Sequence, residues 1–546
     1  MRRKLLLPLA LAGIGAFLLT ASAFAGSSGT SAATQKGGTL RLNISNGDFE
    51  FVDPGLAYDT TSWTMLYATQ SLLVNYPEKP GIASSKLYPE AAEAFPVISK
   101  DGKTYTFTIR KGLRFSDGSP VTAASFRRAL ERNLSPEMGS PLGVNDQVDQ
   151  IIQGGKAFVD GKAKTLSGVS AQGQKLTIRL TKPTPTFLAI LAMQWYGAVK
   201  ADMPYTDRGL DVYPSAGPYY IKSREVGRSL VLARNPNYKG SRPANPDQIV
   251  FTVNTDQAQS LLQVKSGDAD FDLGGHPPAE NEPLAAQFGV NKGRYFVGPN
   301  GCVLYYAMNT SRAPFNSLQM RKAAEWAIDR PALIRVSGKF AGKRTDQILV
   351  PGVPGFKDYK LYALKGADLA KAKQLAGSVG GREIVLYHGT SSLQTSRAQV
   401  VKFNMEQLGF DVRTRPTSAS VYYKTLGTRG NDFDIGYAGW CADYNDPFDF
   451  INVLLDGRTI QAENNTNYAY YNNAALNRKM DAAAAQFGDA RANAYSKLDL
   501  EIMRDHAPWV PFMIPNSRMF VSARVKNFIF VPYYTLPALH AMVIAG

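Results

Sequence analysis

Gly439-Trp440-Cys441-Ala442-Asp443-Tyr444-Asn445-Asp446-Pro447, with Phe448 to Leu455 behind it, is the stretch from which the rest of the chain is read. Upstream, Phe433, Ile435 and Tyr437 alternate with Asp434 and Gly436 at the period of a half-buried strand, so the chain runs extended into Trp440. Downstream it turns helical. Asp446 followed by Pro447 has the pattern of an N-cap with proline at the first helical position, where the missing N–H leaves nothing unpaired, and Asp449 adds negative charge to the first turn. Phe448, Ile451 and Leu455 then recur at helical spacing. Asp446 and Asp449 thus have structural work, whereas Asp443 has none. By its residues alone Asp443 is either a solvated turn carboxylate or a binding group on a loop.

The chain has 546 residues, 44% hydrophobic and 19% charged, an ordinary globular composition with length for more than one core. Arg2, Arg3 and Lys4 precede an apolar run from Leu5 to Leu19, and Ala23-Phe24-Ala25 supplies a small-x-small cleavage pattern before Gly26. The run is shorter than the roughly 20 residues of a membrane span and contains Pro8, so residues 1–25 read as a cleaved export signal. Residues 26–36 read as a Gly/Ser/Thr/Ala-rich tether. No cysteine occurs before Cys302, so a lipid anchor just after the signal is not expected. The net charge of +16 falls by three when Arg2, Arg3 and Lys4 leave with the signal. There is no run of five Lys/Arg and no nucleic-acid motif, which leaves a diffusely basic surface and no nucleic-acid partner.

Further segments punctuate the chain. Thr39 to Ile44 alternates as a first strand, and Asp53-Pro54 starts a turn. Thr104 to Arg110 is an amphipathic strand, followed by Ser116-Asp117-Gly118-Ser119-Pro120 and a helix capped by Thr122, whose Phe126, Ala129 and Leu130 share a face. Lys175 to Thr181 alternates again, and Phe187 to Val199, apolar all round, predicts a buried helix. Later come Gly217-Pro218-Tyr219, Arg234-Asn235-Pro236-Asn237-Tyr238, a strand from Gly301 to Asn309, and a helix carrying Met320, Ala323, Ala324, Ala327 and Ile328. Asn472 to Phe487 is an Ala-rich helical stretch, and Pro508 to Pro515 is rich in proline.

Taken in order, these segments resemble the family 5 extracellular solute-binding proteins of bacterial ABC importers, and Gly439 to Leu455 is most similar to the oligopeptide-binding members. The resemblance implies an α/β, two-lobed periplasmic-binding-protein-like fold of type II in its large family 5 form. Lobe I would comprise 37–70, 200–300 and 511–546, with an inserted subdomain at 71–199, and lobe II would span 301–510. It implies an oligopeptide ligand, permease subunits as partners, a monomer, and a location in the periplasm or at the outer face of the cytoplasmic membrane. In such proteins the acid matching Asp443 grips the peptide's α-ammonium group, and the cysteines matching Cys302 and Cys441 are bonded; free buried thiols are the alternative. Trp440, Cys441, Tyr437, Tyr422, Tyr58, Thr60 and Asn309 follow as cleft candidates, and Arg429 as a carboxylate candidate by position.

Catalytic and metal motifs do not compete with this reading. The four histidines form no HExxH, there is no G-x-S-x-G, and Gly338 to Arg344 misses a P-loop in spacing and in its closing Ser/Thr. Asp443, Asp446 and Asp449 lack the central glycine of an EF-hand, so no metal and no cofactor are expected. A non-peptide ligand such as a sugar, metal chelate or opine, a secreted peptidase, and a chaperone-like peptide binder remain as alternatives. The export reading predicts that intact-mass analysis of the secreted protein finds a mature chain beginning at Gly26; a chain retaining residues 1–25 would overturn it.

Overall fold

A computed structural model describes residues 36–545 except 80–83, 141–142, 144–146, 254–255, 363–364 and 532–535, with only the backbone described at 419 and 420. The export signal and residues 26–35 of the tether lie outside the described residues. Thr39–Ile44 is the strand its alternation predicts, with Leu40, Leu42 and Ile44 buried. It lies inside a five-stranded sheet in the order Phe271–Asp272, Thr39–Ile44, Gln248–Val253, Ser229–Arg234, Tyr219–Glu225. Its two neighbours run parallel to it and the outer pairings are antiparallel. A separate four-stranded antiparallel sheet joins Val97–Ile98, Thr104–Thr108, Lys175–Arg179 and Val169–Gln172. Tyr105, Phe107, Leu176 and Ile178 point from it into the same apolar core that the first sheet feeds, and Phe126, Ala129 and Leu130 of helix Ala123–Leu134 close over them.

A second large core is built on a seven-stranded mixed sheet in the order Tyr295–Pro299, Trp509–Phe520, Cys302–Met308, Ile435–Cys441, Glu383–Gly389, Asp411–Thr417, with Gly342–Arg344 added to Trp509–Phe520. Trp509–Phe520 connects the cores. Trp509 to Ile514 lie in the second core, Phe520 in a small third one with Leu261, Leu284 and Tyr295, and Met519 and Val521 in the first. Pro511 sits in this interior strand beside the point where the register against Leu304 and Tyr305 slips, the kind of irregularity at which a strand admits proline; its carbonyl accepts from Arg330 Nε at 2.7 Å.

One expectation is corrected. Phe187 to Val199 is buried, but it forms a single helical turn, Phe187–Ile190, and a 3₁₀ turn, Gln194–Tyr196, broken where Met193 turns extended. An apolar run without a polar face reports burial and leaves helix and irregular backbone indistinguishable.

Asp53 fastens the turn that leads to the site. Its carboxylate takes a bidentate pair from Arg132, Nη1 at 2.7 Å and Nη2 at 2.8 Å, and also accepts the N–H groups of Gly55 and Leu210. Both side chains are at most 1% exposed, and Arg132 Nε donates to Pro204 O, so one ion pair ties the turn, the helix Ala123–Leu134 and the 204–210 loop together. Arg132→Met leaves a buried carboxylate without its cation, which costs ~3–5 kcal/mol. Urea unfolding at pH 7 is expected to show that loss; a change under about 1 kcal/mol would mean that the pair is no more than a surface-grade bridge.

Candidate functional site

Extended backbone reaches the central loop as the sequence requires: Ile435–Cys441 is a strand, and Pro447–Leu455 is a helix with Asp446 as N-cap and Pro447 at its start. Asp446 Oδ1 accepts Phe448 N–H at 2.8 Å and its Oδ2 takes Arg491 Nη1 at 2.8 Å. Asp449 does more than add charge to the first turn. Fully buried, its Oδ2 accepts Trp440 Nε1–H at 3.2 Å and Asp443 N–H at 3.1 Å, folding the loop back on its own helix. Cys302 and Cys441 face each other across paired strands and are joined in a disulfide, so the end of the strand is fixed as well.

The loop then reaches across to the first core. Tyr444 is fully buried there, the one residue between 303 and 514 that this core includes among the described residues. Beside it, Tyr58 O–H donates to Asp443 Oδ2 at 3.3 Å. Tyr58 itself is held edge-on against Trp63 and Trp195, with ring centroids 5.8 and 6.1 Å away. Asp443 is 8% exposed and forms no ion pair among the described residues; burial pushes its carboxyl up to about 7, offset in part by the Tyr58 hydrogen bond.

Tyr58, Gly139 and Ser140 wall one side of a cavity of about 870 Å³ whose other side is formed by Tyr423, Lys424, Gly439, Trp440, Tyr468 and the loop residues Gln461 and Asn464 to Thr466. Tyr423 stacks on Tyr468 at 5.9 Å. Asn465 braces its loop by donating to Gly427 O and Gln461 O and accepting Gln461 N–H. A Cβ at Gly427 would stand 2.8 Å from Asn465 O, so a glycine is what admits this loop. The wall is aromatic and amide-rich, suited to a ligand with apolar parts and backbone-like polar groups.

Of the residues singled out from sequence, Trp440 and Tyr58 line this cavity, and Asp443, not itself among the lining residues, is linked to it through the Tyr58 hydroxyl. Cys441 serves through its disulfide. Tyr422 and Tyr437 are not cavity walls. Tyr422 is 3% exposed with its hydroxyl 2.7 Å from Tyr437 O, and the Tyr437 hydroxyl accepts from Arg397 at 3.3 Å, so both are satisfied inside the core while Tyr423, 47% exposed, takes the place expected of its neighbour. Asn309 is buried too, donating to Phe433 O and accepting from Ser311, which makes it a turn organiser. Thr60 is exposed at the start of helix Thr60–Thr69 and lines a different, smaller cavity. Arg429 is exposed, its backbone N–H on Ala462 O at 2.9 Å, and its side chain is not among the cavity-lining groups. Tyr423, Tyr468 and the Gln461–Thr466 loop were not foreseen; the amide run Asn464-Asn465 next to Gln461 was the available signal.

Two apolar cores joined by a crossing strand, with a cavity walled from both, make this the fold of the periplasmic binding proteins. The structure superposes on that of a clavulanic acid biosynthesis oligopeptide binding protein 2 with a TM-score of 0.87 at 24% identity, covering 94% of this chain and 96% of the other. It also superposes on AgaA of A. tumefaciens R10 in complex with agropinic acid, at a TM-score of 0.72 and 23% identity over 93% of this chain and 99% of the other. The chain belongs to the bacterial extracellular solute-binding proteins, family 5, whose middle-region model matches residues 86–462. It is 27% identical over 456 residues to the oligopeptide-binding protein OppA of Bacillus subtilis, covering 79% of this chain and 80% of that one. Among the described residues no helix is long and apolar enough to cross a membrane.

The raised Asp443 carboxyl makes a stability prediction. Below about pH 4 the carboxyl is protonated folded and unfolded, and its burial is tolerated. As pH rises toward 7 the unfolded chain releases this proton first, so stability falls, and above 7 the full penalty of a buried carboxylate is present. Asp443→Asn is therefore expected to be nearly neutral at pH 4 and stabilising at pH 8, by on the order of 3 kcal/mol. Denaturant unfolding at both pH values checks this; an equal effect at the two would show that the carboxyl is not held protonated by burial.

Proposed function

We propose that the protein is the substrate-binding component of an ABC importer, that it captures oligopeptides in the cleft between its two cores, and that Asp443 receives the peptide's α-ammonium group. The observation that carries this reading is a buried carboxylate, 8% exposed and without a cation among the described residues, whose hydrogen bond goes to a tyrosine on the wall of an 870 Å³ cavity. Burial strips a ligand ammonium of water, so it needs a charged acceptor, and a buried carboxylate likewise needs a cation. Each supplies what the other lacks.

In this reading lobe I takes 37–70, 200–300 and 511–546 with 71–199 inserted, and lobe II takes 301–510. The lobes close on the ligand about the two connections near 300 and 511, and the ligand's contacts to both select the closed form. An extended peptide brings its own backbone donors and acceptors, so affinity need not come from its side chains, and a roomy cavity leaves space for bridging water. The relative named OppA is consistent with a peptide ligand. The same fold around agropinic acid in AgaA keeps a non-peptide ligand as the second reading. Delivery to membrane permease subunits, and a place in the periplasm or on the outer face of the membrane, belong to the same proposal, as does binding without chemical turnover.

Leaving the bound ammonium opposite a neutral amide is expected to cost ~3–5 kcal/mol, so Asp443→Asn weakens free-amine peptides by about 10²- to 10³-fold or more. N-acetylated peptides should bind the parent protein as poorly as free-amine peptides bind the variant. Calorimetry at pH 7.5 reads both. Equal affinity of the parent protein for a peptide and its N-acetyl form would remove Asp443 from this role and favour the non-peptide ligand.

A further inference from the structure

Among the described residues that line the 870 Å³ cavity, Lys424 alone carries a formal charge. It lies in the last turn of helix Ala419–Leu426, where the carbonyl end of the helix favours a cation. Tyr422 seats that helix, its hydroxyl 3.1 Å from Tyr387 O and 2.7 Å from Tyr437 O, and the two residues after it, Tyr423 and Lys424, line the cavity. Other polar groups of the lining are spent inside the protein. Trp440 Nε1–H goes to Asp449, Thr466 Oγ1–H to Val453 O at 2.9 Å, and the Asn465 amide to the carbonyls of Gly427 and Gln461. Lys424 is bonded through its backbone carbonyl, which accepts from Thr428 Oγ1 at 2.8 Å, while its Nζ forms no ion pair and no hydrogen bond among the described residues. Glu463, the acid of the Gln461–Thr466 loop, is exposed and is not among the cavity-lining residues.

In water an exposed ammonium needs no partner. A ligand that fills the cavity displaces that water, and the lysine is then either answered by the ligand or left desolvated. A ligand ammonium or guanidinium would meet it with like charge, and an aliphatic group would leave it unpaired. A carboxylate answers it with a charge-assisted hydrogen bond. What carries the carboxylate follows from the flank. Tyr423 and Tyr468, stacked with ring centroids 5.9 Å apart, line the cavity together with Lys424 and offer an apolar face. A glutamate side chain has methylenes to lay on that face and a carboxylate beyond them, whereas a peptide's terminal carboxylate has no such stem. We propose that Lys424 and the Tyr423–Tyr468 pair form a subsite for an acidic side chain, with Lys424 Nζ donating to the carboxylate of a ligand glutamate or aspartate. The inference names a substrate class within the reading in which Asp443 anchors a peptide amine, and it rests on that reading. Tyr58, whose hydroxyl bonds Asp443, lines the same cavity as Lys424, so one ligand can meet both ends.

The test is calorimetry of the full chain with trialanine peptides carrying Glu, Gln or Lys at each of the three positions in turn, each with a free and with an amidated C-terminus. At one position the Glu peptide is expected to bind about tenfold tighter than the isosteric Gln peptide, with the Lys peptide weakest. In Lys424→Met the Glu-to-Gln ratio at that position should fall to within about twofold, and Lys424→Arg should keep the preference. In Lys424→Glu the Lys peptide should outbind the Glu peptide, a reversal that a lysine serving only its helix end would not produce. Equal affinities for Glu and Gln at every position, or a Glu preference that survives Lys424→Met, would overturn the subsite while leaving the peptide reading intact. The subsite also falls if Lys424→Met removes only a preference for the free over the amidated C-terminus. Melting temperatures with free L-glutamate and L-glutamine separate the two ideas. If no peptide binds but glutamate raises the melting temperature more than glutamine, and does so only with Lys424 present, the peptide reading falls and the subsite stands. If glutamate has no such effect and no peptide binds, both fall.

Discussion

The buried carboxylate of Asp449 is what the site's geometry depends on. It draws Trp440 Nε1 and the backbone N–H of Asp443 onto one oxygen, converting the end of a strand and the start of a helix into a closed turn. The turn is anchored on both flanks, by the Cys302–Cys441 bridge behind it and by the Asp446–Arg491 pair ahead of it. A loop with that many internal bonds has few alternative conformations, so the side chains it does not use internally, Asp443 and Tyr444, are presented in one direction. That direction is toward the first core, where Tyr444 is buried and Asp443 meets Tyr58. The Asp53–Arg132 pair performs the corresponding service on the opposite side, holding the turn from which Tyr58 projects. Two buried acids, remote in sequence, thus set the positions of the two groups that meet.

The strand Trp509–Phe520 gives this arrangement its second property, which is that both sides of the cavity are mechanically continuous. A single strand contributes Trp509 to Ile514 to one core and ends at Phe520 against another. Pairing with Cys302–Met308 through its first half and Tyr295–Pro299 through its second leaves Ser517 and Arg518 between the cores, where both line the smaller cavity. A relative motion of the cores would have to be absorbed close to these residues and to the Pro299–Cys302 connection, where Gly301 has a φ of +69°.

What could be read from the sequence was what is local. The strand into Trp440, the Asp446 cap, the amphipathic strand at Thr104 and the helix face of Phe126, Ala129 and Leu130 each follow from spacing within a dozen residues, and each is found. The disulfide followed from likeness to a family, not from spacing. The parts that escaped are set by partners far along the chain. Asp53 reads as the first residue of a turn, yet its work is to pair with an arginine 79 residues away. Tyr422 and Tyr423 are adjacent and chemically identical, and only the packing of the helix Ala419–Leu426 against Tyr387 and Tyr437 turns one inward and leaves the other at the cavity. Phe187 to Val199 shows the same limit in backbone form, because uniform burial erases the polar face by which a helix is recognised.

A buried acid without a cation is a poor way to stabilise a fold. With the Tyr58 hydroxyl as its partner, Asp443 lies in a form whose carboxyl resists ionisation. On the proposed reading the cores also take an open form in which water reaches the carboxylate, and around neutral pH the contact between them, holding a proton or carrying an unpaired charge, is weak relative to it. On that reading a ligand ammonium changes the balance through its differential affinity for the two forms, since in the closed one it meets a desolvated carboxylate and in the open one a hydrated carboxylate. On the proposed reading, the unfavourable placement of Asp443 keeps the empty protein from closing too firmly and makes closure report that a free amine has been bound.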